Sequence, residues 1–289
     1  MATEPQALVP LVSYKPEKIV LLGDHKQLRP IVKNIQVRNL GMSKSLFERY
    51  MGKAVMLDTQ YRMHEDICEF PSKESYDGML KTAVRRPNSV ICITSSKNPI
   101  QTVFGHVVGQ EISLVVTTAK GNENSKVNRE ESKIAVDIAM SLVNDATIRK
   151  EHIAILSPYN AQVSEIRKIL KRRGMHEIAV STITKSQGSE WRYVILSTVR
   201  SCPSTEIEKD PSRAWLSKNV GFVGDPNQIN VGITRAQEGL CIIGNQELLR
   251  CSKAWNRLLQ HYTSKSCFTM ATDITVRKVA SSYFSAQSK

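Results

Sequence analysis

Short apolar runs, each ending in polar residues or glycine, recur along the chain and constrain its fold more than any other sequence feature. They lie at residues 18–22, 90–94, 153–157, 193–197 and 240–245, with a weaker run at 179–183. Runs of this length and composition predict buried β-strands. In open α/β sheets ligands bind at the carboxyl ends of the strands, so the polar residues that follow these runs are candidates for a binding site.

Two amphipathic patterns lie between the predicted strands. Residues 130–143 place apolar side chains on one helical face, and residues 160–173 do the same with a basic opposite face before Gly174, a natural stop. Strands that alternate with helices predict an α/β fold in which a parallel sheet is covered by helices on both faces. Residues 33–40 and the polar stretch 120–129 predict loops, and residues 203–218 are rich in charge and serine without a clean period. Residues from 263 onward predict a tail that can hold a short terminal element.

The charge balance favours a polyanionic partner. The 289 residues carry a formal net charge of +13 and a pI of about 9.5. Lysine and arginine gain free energy when they release counterions from phosphates, so this excess favours nucleic acid. A basic surface that is simply solvated is the alternative.

Cysteine spacing and hydropathy exclude several other classes of protein. The six cysteines contain no Cys-x-x-Cys pair, so we expect neither a zinc site nor a disulfide framework. No apolar run is long enough to span a membrane, and the first ten residues lack the features of a signal peptide. We therefore expect a soluble intracellular protein, cytoplasmic or nuclear, without a membrane partner or a bound metal of its own.

Two sequence blocks suit a nucleotide site. The loop after the first predicted strand holds Asp24 and Gln27. Polar side chains at such a strand end can lie beside a nucleotide phosphate, and a glutamine there can sense the γ-phosphate or orient the attacking water, although an ordinary turn is the alternative. The second block holds Tyr61, which offers a flat face to a base, and Arg62, which can pair with an anion.

Three further blocks add polar groups near predicted strands. Ser157 and Tyr159 lie where a strand end opens the basic helix, a position that suits phosphate binding or an ordinary capped helix start. Gly188 permits close backbone approach, and Glu190 can accept a hydrogen bond from a ribose hydroxyl. Arg235 precedes the last strand, where it faces a site or, taken alone, is a solvated charge.

In order and spacing, these five blocks resemble the later motifs of Upf1-like superfamily 1 helicases. Those motifs are Gly-Asp-x-x-Gln-Leu-x-Pro, Gln-Tyr-Arg-Met, Ser/Thr-Pro-Tyr, Gln-Gly-x-Glu with a following Val-Arg-Ser/Ala, and Asn-Val-x-x-Thr-Arg-Ala. The chain carries them as GDHKQLRP, QYRM, SPY, QGSE with VRS, and NVGITRA. The resemblance covers nearly all of residues 1–250. It implies two RecA-like lobes with ATP and Mg²⁺ in the cleft between them and single-stranded RNA or DNA across their tops.

The resemblance also implies roles for individual residues. In catalysis, Gln27 would be the γ-phosphate sensor, and Arg62 and Arg235 would be two arginine fingers. Tyr61 would stack near the adenine. The other residues implied to bind the nucleotide are Asp24, Gln187, Gly188 and Glu190. Contacts to the nucleic-acid strand would come from Ser157, Tyr159 and Thr198.

The chain departs from the family pattern in three places. The phosphate loop Gly-x-x-x-x-Gly-Lys-Ser/Thr is absent, the Asp-Glu magnesium motif would precede a stretch like residues 2–5, and Thr184 stands where the family commonly has Asp. We therefore expect residues 1–50 to be the C-terminal remnant of the first RecA-like lobe, 53–262 the second lobe and 263–289 a tail. ATP and Mg²⁺ are expected in the full-length parent, and neither is expected to bind tightly to this chain alone.

Two functions are compatible with these features. The first is the C-terminal part of an ATP-dependent RNA or DNA helicase, inactive alone, whose partners are a single strand, the missing N-terminal lobe and protein partners of a larger parent. The second is an ATP-independent nucleic-acid-binding or transcriptional coregulator module. If the first lobe is missing, Val20, Leu21 and Leu22 lose the neighbours that a buried strand needs.

Overall fold

The computed structural model describes residues 2–32, 34–84, 91–92, 102–106, 125–144, 148–265, 267–270 and 277–278. The chain divides into two compact units, Met1–Asp58 and Thr59–Lys289. The helices are α1 (Glu4–Tyr14), α2 (Ile35–Val37), α3 (Leu46–Tyr50), α4 (Glu65–Ser75), α5 (Arg129–Asn144), α6 (Asn160–Arg172), α7 (Arg213–Asn219), α8 (Pro226–Ile233), α9 (Gln246–Arg250) and α10 (Lys253–Ser264). The strands are β1 (Thr59–Gln60), β2 (Lys81–Thr82), β3 (Ile91–Cys92), β4 (Thr102–His106), β5 (Ile153–Ser157), β6 (Ala179–Thr182), β7 (Trp191–Ser197), β8 (Ala236–Gly244), β9 (Phe268–Met270) and β10 (Arg277–Lys278).

A six-stranded parallel sheet forms the centre of the unit Thr59–Lys289. Its strand order is β6-β5-β7-β8-β4-β9, and every neighbouring pair is parallel. The strands predicted at 153–157, 179–183, 193–197 and 240–245 are confirmed as β5, β6, β7 and β8, and β5 has the predicted bounds. The predicted α/β fold around a parallel sheet is therefore confirmed.

Helices cover both faces of this sheet. On one face, α5 and α6 bury an apolar cluster that includes Leu142, Ile166 and Ile195. On the other face, Leu196 and Trp255 of α10 line the same small cavity. Successive side chains of a strand point to opposite faces, so Ile195 and Leu196 supply the two cores in turn. Full burial of each such aliphatic side chain contributes about 1.5–3 kcal/mol.

The two predicted amphipathic helices are confirmed as α5 and α6. The second ends at Arg172, close to its predicted end. Gly174 follows in the left-handed region, with φ of +68°, and the backbone N–H of Met175 donates to the carbonyl of Leu170 at 2.9 Å. A left-handed glycine with this hydrogen bond terminates the helix and returns the chain toward β6.

The strand predicted at residues 18–22 is wrong. These residues form no regular element, and Val20 and Leu22 are 82% and 89% exposed. A strand needs a neighbour to complete its backbone hydrogen bonds, and the described residues of the unit Met1–Asp58 contain none. The exposure of Val20 and Leu22 agrees with the expectation that these side chains lack the neighbours of a buried strand.

The loop predicted at residues 33–40 is also wrong. Helix α2 begins at Ile35, and a π-helical turn continues over Arg38–Met42. Asn34 explains the difference, because its Oδ1 accepts hydrogen bonds from the backbone N–H groups of Gln36 at 2.9 Å and Val37 at 3.2 Å. Such a side-chain cap stabilises the first helical turn, and hydrophobic periodicity does not detect it.

Only part of the strand predicted at residues 90–94 lies within the described residues. Its described part, β3, pairs antiparallel with β10, separately from the six-stranded sheet. Between β8 and β9 in that sheet lies β4, for which the sequence analysis made no prediction. The predicted tail contributes β9, which pairs with β4, and residues 120–124 of the second predicted loop lie outside the described residues.

Candidate functional site

A rigid turn after β1 presents the first two candidate residues of the unit Thr59–Lys289. The side chain of Gln60 holds this turn: its Oε1 accepts from the backbone N–H groups of Arg62 at 2.9 Å and Met63 at 2.7 Å. Its Nε2 donates to the carbonyl of Met63 at 2.8 Å and to Thr82 Oγ1 at 2.7 Å. Tyr61 is consequently directed outward and is 69% exposed, as a ring that stacks on a ligand must be.

Arg62 and Glu190 form the centre of the candidate site. Arg62 Nε donates to Glu190 Oε2 at 2.5 Å, and Arg62 Nη1 donates to the carbonyl of Thr234 at 3.2 Å. Gln237 Nε2 donates to the other carboxylate oxygen of Glu190 at 2.7 Å. Residues 128 positions apart in the sequence are thereby brought together, and three of the five predicted blocks meet at this point.

Arg235 lies beside this pair and is only 1% exposed. Its guanidinium donates to the carbonyl of Val231 at 3.0 Å, the carbonyl of Ser189 at 3.2 Å and Thr234 Oγ1 at 3.0 Å. Burial, followed by the positive charge of Arg62, lowers the pKa of Arg235 to about 10. The solvated charge considered from the sequence is therefore wrong. Arg235 is a buried cation next to a second cation, at the corner where α8 leads into β8.

Gly188 occupies a loop whose backbone conformation requires glycine. Its φ is +89°, and a Cβ built on it meets no described atom within 4 Å. The left-handed conformation is what favours glycine at this position, and the close backbone approach expected of Gly188 stays a prediction. The open space leaves the backbone of Gly188 accessible beside Gln187 and Glu190. Before this loop, Thr184 Oγ1 accepts a long hydrogen bond from Gln228 Nε2 at 3.5 Å.

Asp24 and Gln27 form a compact turn in the unit Met1–Asp58. Asp24 Oδ1 accepts from the backbone N–H of Lys26 at 2.9 Å, and Gln27 Nε2 donates to Asp24 Oδ2 at 3.1 Å. The aspartate therefore orients the glutamine side chain that the sequence analysis singled out. Their roles beside a nucleotide remain predictions.

The three residues predicted to contact a nucleic-acid strand lie at the carboxyl edge of the sheet, and all are buried. Ser157 is 0% exposed, Tyr159 4% and Thr198 1%. Arg200 Nε donates to the hydroxyl of Tyr159 at 2.6 Å. Thr198 Oγ1 is buried without a hydrogen-bond partner among the described residues. As placed here, these side chains form the support of the edge, and their contact with a strand remains a prediction.

A buried polar network behind this edge was not predicted from the sequence. Glu131 is 0% exposed, and its Oε2 accepts from Ser197 Oγ at 2.6 Å and from the backbone N–H of Val199 at 2.8 Å. Asn128 Nδ2 donates to the carbonyl of Val199 at 3.3 Å. Both backbone groups of Val199 are thus held while its φ is +72°, an unusual conformation for a β-branched residue. The Asn-x-x-Glu spacing before α5, which suits a helix cap, was the available signal.

Comparison with known proteins places the chain in a family. Two family profiles, each described as an AAA domain, match residues 42–247 and residues 1–35. The first covers well over half of the chain. The chain belongs to the AAA domain family.

Relatives of this AAA domain chain include named helicases. It is 54% identical to the human 3'-5' exoribonuclease HELZ2 over 279 residues, which are 96% of this chain and 10% of that protein. It is 31% identical to the ATP-dependent helicase NAM7 of Saccharomyces cerevisiae, across 94% of this chain and 27% of that protein. It is 33% identical to a regulator of nonsense transcripts 1 homolog of Arabidopsis thaliana, across 92% of this chain and 20% of that protein. The predicted relationship to Upf1-like helicases is confirmed, and the chain spans about a tenth to about a quarter of the length of these three relatives.

The described residues of this AAA domain chain lack both a membrane-spanning helix and a metal-binding cluster. There, no helix is long and apolar enough to cross a membrane. The same residues contain no group of three or more histidine, cysteine, aspartate or glutamate side chains that could hold a metal ion.

Proposed function

We propose that this chain is the C-terminal motor part of an ATP-dependent helicase that couples ATP hydrolysis to movement along, or unwinding of, RNA or DNA. The observation that carries this proposal is the convergence of Arg62 and Arg235 on Thr234. Two guanidinium groups face one carboxylate, Glu190, so the site holds an excess of positive charge. A polyphosphate is the ligand that best offsets this excess.

The charge distribution also separates the roles of the two arginines. Arg235 is held by three oxygen acceptors and stays in place, whereas Arg62 is half-buried and paired with the more exposed carboxylate of Glu190. A phosphate that approached would compete with Glu190 for Arg62. We propose that both arginines stabilise the negative charge that grows on a transferring phosphoryl group. ATP with Mg²⁺ supplies the phosphoryl group and its partial neutralisation when bound.

The remaining residues of the site would bind and orient the nucleotide. Tyr61 offers an exposed ring for adenine, and the open backbone of Gly188 lies next to Glu190. Gln187 would line the same cleft, and Asp24 with Gln27 would face the γ-phosphate from the first lobe. The partner that completes the site is a phosphate-loop lobe, in agreement with the family motif missing from these residues. The division into residues 1–50, 53–262 and 263–289 is part of this proposal.

The proposal is tested with the chain alone and with the chain fused behind the phosphate-loop lobe of an Upf1-like helicase. We expect no measurable ATP hydrolysis from the chain alone and Mg²⁺-dependent hydrolysis from the fusion. In the fusion, Arg235→Lys should lower kcat at least a hundredfold, since lysine lacks the planar fork of donors. The control is Arg257→Lys, because Arg257 belongs to a surface ion pair with Glu74. Equal rates for Arg235→Lys and the unaltered fusion would refute the proposed role.

The second candidate is an ATP-independent nucleic-acid-binding or coregulator module, favoured by the net charge of +13. Binding of a fluorescent oligouridylate, measured with and without a non-hydrolysable ATP analogue and Mg²⁺, separates the two candidates. A helicase fusion should change its affinity for the strand when the analogue binds. An affinity that does not change, together with absent ATP hydrolysis in the fusion, favours the second candidate.

A further inference from the structure

Phe222 is an exposed aromatic residue that none of the sequence motifs includes. It lies in the short 3₁₀ turn Gly221–Gly224 between α7 and α8, and 44% of it is accessible to solvent. Its ring packs against Tyr159, with the ring centroids 4.7 Å apart and the planes tilted by 58°. Tyr159 directly follows β5, so Phe222 lies at the carboxyl edge of the sheet.

Several contacts hold the residues that support Phe222. Tyr159 is buried, and Arg200 both donates to its hydroxyl at 2.6 Å and lies over its ring at 5.6 Å. Arg200 Nη1 also donates to the carbonyl of Lys218 at 2.7 Å, which ties the end of α7 to the same stack. The next residue after Phe222, Val223, accepts a hydrogen bond from the indole N–H of buried Trp255 at 2.8 Å.

Gly221 shows how closely this stack is packed. Its φ is +61°, and a Cβ built on it would lie 2.6 Å from Arg200 Nη2. Arg200 therefore passes against the backbone of the turn that carries Phe222. The ring packs against Tyr159, and Arg200 lies against the preceding residue, Gly221, so the ring loses little conformational freedom when a ligand covers its exposed side.

Two lysines lie near the stack that supports the ring. Lys218, whose carbonyl accepts from Arg200, is exposed at the end of α7. Lys126 lies close enough to Arg200 that burial and the charge of Arg200 both lower its pKa. An exposed aromatic ring with cations near its support matches the pattern by which proteins hold single-stranded nucleic acid, in which bases stack on rings while cations follow the phosphates. An apolar protein partner would not match this charge.

We propose that Phe222 is a stacking platform for one base of a single-stranded nucleic acid, supported by Tyr159 and Arg200 and flanked by Lys126 and Lys218. This inference rests on the proposed nucleic-acid function and assigns a specific contact within it. It also gives buried Tyr159 a role as the support of the stacking ring, through which it would act on the strand without touching it.

The test compares strands with and without bases, using the 289-residue chain. Fluorescence anisotropy measures its affinity for a fluorescein-labelled 15-nucleotide oligouridylate and for an abasic ribose-phosphate strand of equal length. Phe222→Ala should weaken binding of the oligouridylate about five- to a hundredfold and change binding of the abasic strand by less than twofold. Phe222→Trp should bind both strands like the unaltered chain, and Phe222→Leu, which keeps the apolar volume, should behave like Phe222→Ala.

Tyr50 provides the matched control for Phe222. Tyr50→Ala removes an aromatic residue that is 53% exposed in the other unit and should leave both affinities unchanged. If Phe222→Ala weakens binding of both strands equally, or weakens binding of neither, the stacking role is refuted while nucleic-acid binding stands. If the unaltered chain binds neither strand, the proposed nucleic-acid function fails and the stacking role fails with it. Thermal unfolding of each variant, followed by circular dichroism, identifies a folding defect, and Phe222→Leu then decides the question.

Discussion

The carboxylate of Glu131 accepts a hydrogen bond from the backbone N–H of Val199 at 2.8 Å, deep behind the carboxyl edge of the sheet. Asn128, one helical turn earlier, holds the carbonyl of the same residue. The start of α5 therefore holds Val199 in its left-handed conformation, between Thr198 and Arg200. The backbone at the end of β7 is set by a helix that makes no predicted contact with either ligand.

Glu131 should make stability depend on pH. Burial raises its pKa to about 7 in the folded chain, against 4.5 as the ordinary value. Below about pH 4.5 both folded and unfolded states bind the proton, so the contribution is fully present. Between about 4.5 and 7 only the unfolded state releases the proton, and the free energy of unfolding should fall by up to about 3 kcal/mol.

Glu131→Gln is the variant that checks this pH dependence, because glutamine keeps an acceptor oxygen and cannot ionise. Urea unfolding between pH 4.5 and 8 should show a flatter pH dependence for Glu131→Gln than for the unaltered chain. Glu130→Gln, which alters the neighbouring carboxylate in its surface pair with Lys133, is the control. Parallel pH profiles for the unaltered chain and Glu131→Gln would contradict this expectation.

Gly221→Ala should be more costly than a glycine substitution that meets only the backbone penalty. The new methyl group would lie 2.6 Å from Arg200 Nη2, in addition to the strain of a positive φ. Gly174→Ala is the matched control, since it has a φ of +68° and a built Cβ there meets no described atom within 4 Å. We expect a loss of about 1 kcal/mol for Gly174→Ala and about 2–4 kcal/mol for Gly221→Ala, measured by urea unfolding. Equal losses would mean that Arg200 gives way without cost.

Arg62→Ala should separate stability from catalysis. The pair of Arg62 and Glu190 is partly exposed, with side-chain exposures of 28% and 43%, so solvent screening leaves it worth about 1 kcal/mol or less. In the fusion with a phosphate-loop lobe, however, the ATPase kcat should fall at least a hundredfold if Arg62 contacts the transferring phosphoryl group. A thermal melt within a few degrees of the unaltered chain, combined with unchanged ATPase activity, would remove Arg62 from the catalytic set.

Reversal of charge at the end of α6 should have little effect on strand binding. Helix α6 begins after Tyr159 at the carboxyl edge and runs back to the opposite edge, where β6 begins, so Lys171 and Arg172 lie far from the proposed platform. Lys171→Glu with Arg172→Glu should change oligouridylate affinity by less than threefold in 150 mM salt, because exposed charges beyond a Debye length are screened. Lys218→Glu should weaken it by more. If Lys171→Glu with Arg172→Glu weakened binding more than Lys218→Glu, the nucleic-acid surface would lie at the opposite edge of the sheet.

The parts of the fold set by periodicity could be predicted from the sequence, and the parts set by partners could not. Strand β5 and the helices α5 and α6 follow from local apolar patterns, which point to the same structure as the tertiary packing. Residues 18–22 have the composition of a buried strand, but the described residues of their unit supply no strand to pair with. Composition predicts a preference for burial, and a strand forms only where a neighbour accepts its hydrogen bonds.

The residues of the candidate site could also be predicted from the sequence, whereas their contacts could not. The motifs identified Arg62, Glu190 and Arg235, and the structure brings these three together. Their order could not show that Glu190 is bound to Arg62, or that Arg235 is buried, because both facts depend on distances across the fold. Phe222 was missed because a phenylalanine in the segment Gly221–Gly224 carries no sequence signal of exposure. Its 44% exposure depends on the folded structure.

The burial of Arg235 has a consequence for how the site would respond to a ligand. Its acceptors, Val231, Thr234 and Ser189, belong to α8, to the end of α8 and to the loop before β7, respectively. A free arginine loses about 2 kcal/mol of rotamer entropy when it is ordered, and for Arg235 this loss has already occurred during folding. Arg235 therefore behaves as a preorganised charge, which can approach a phosphate only when the whole corner of the lobe moves with it.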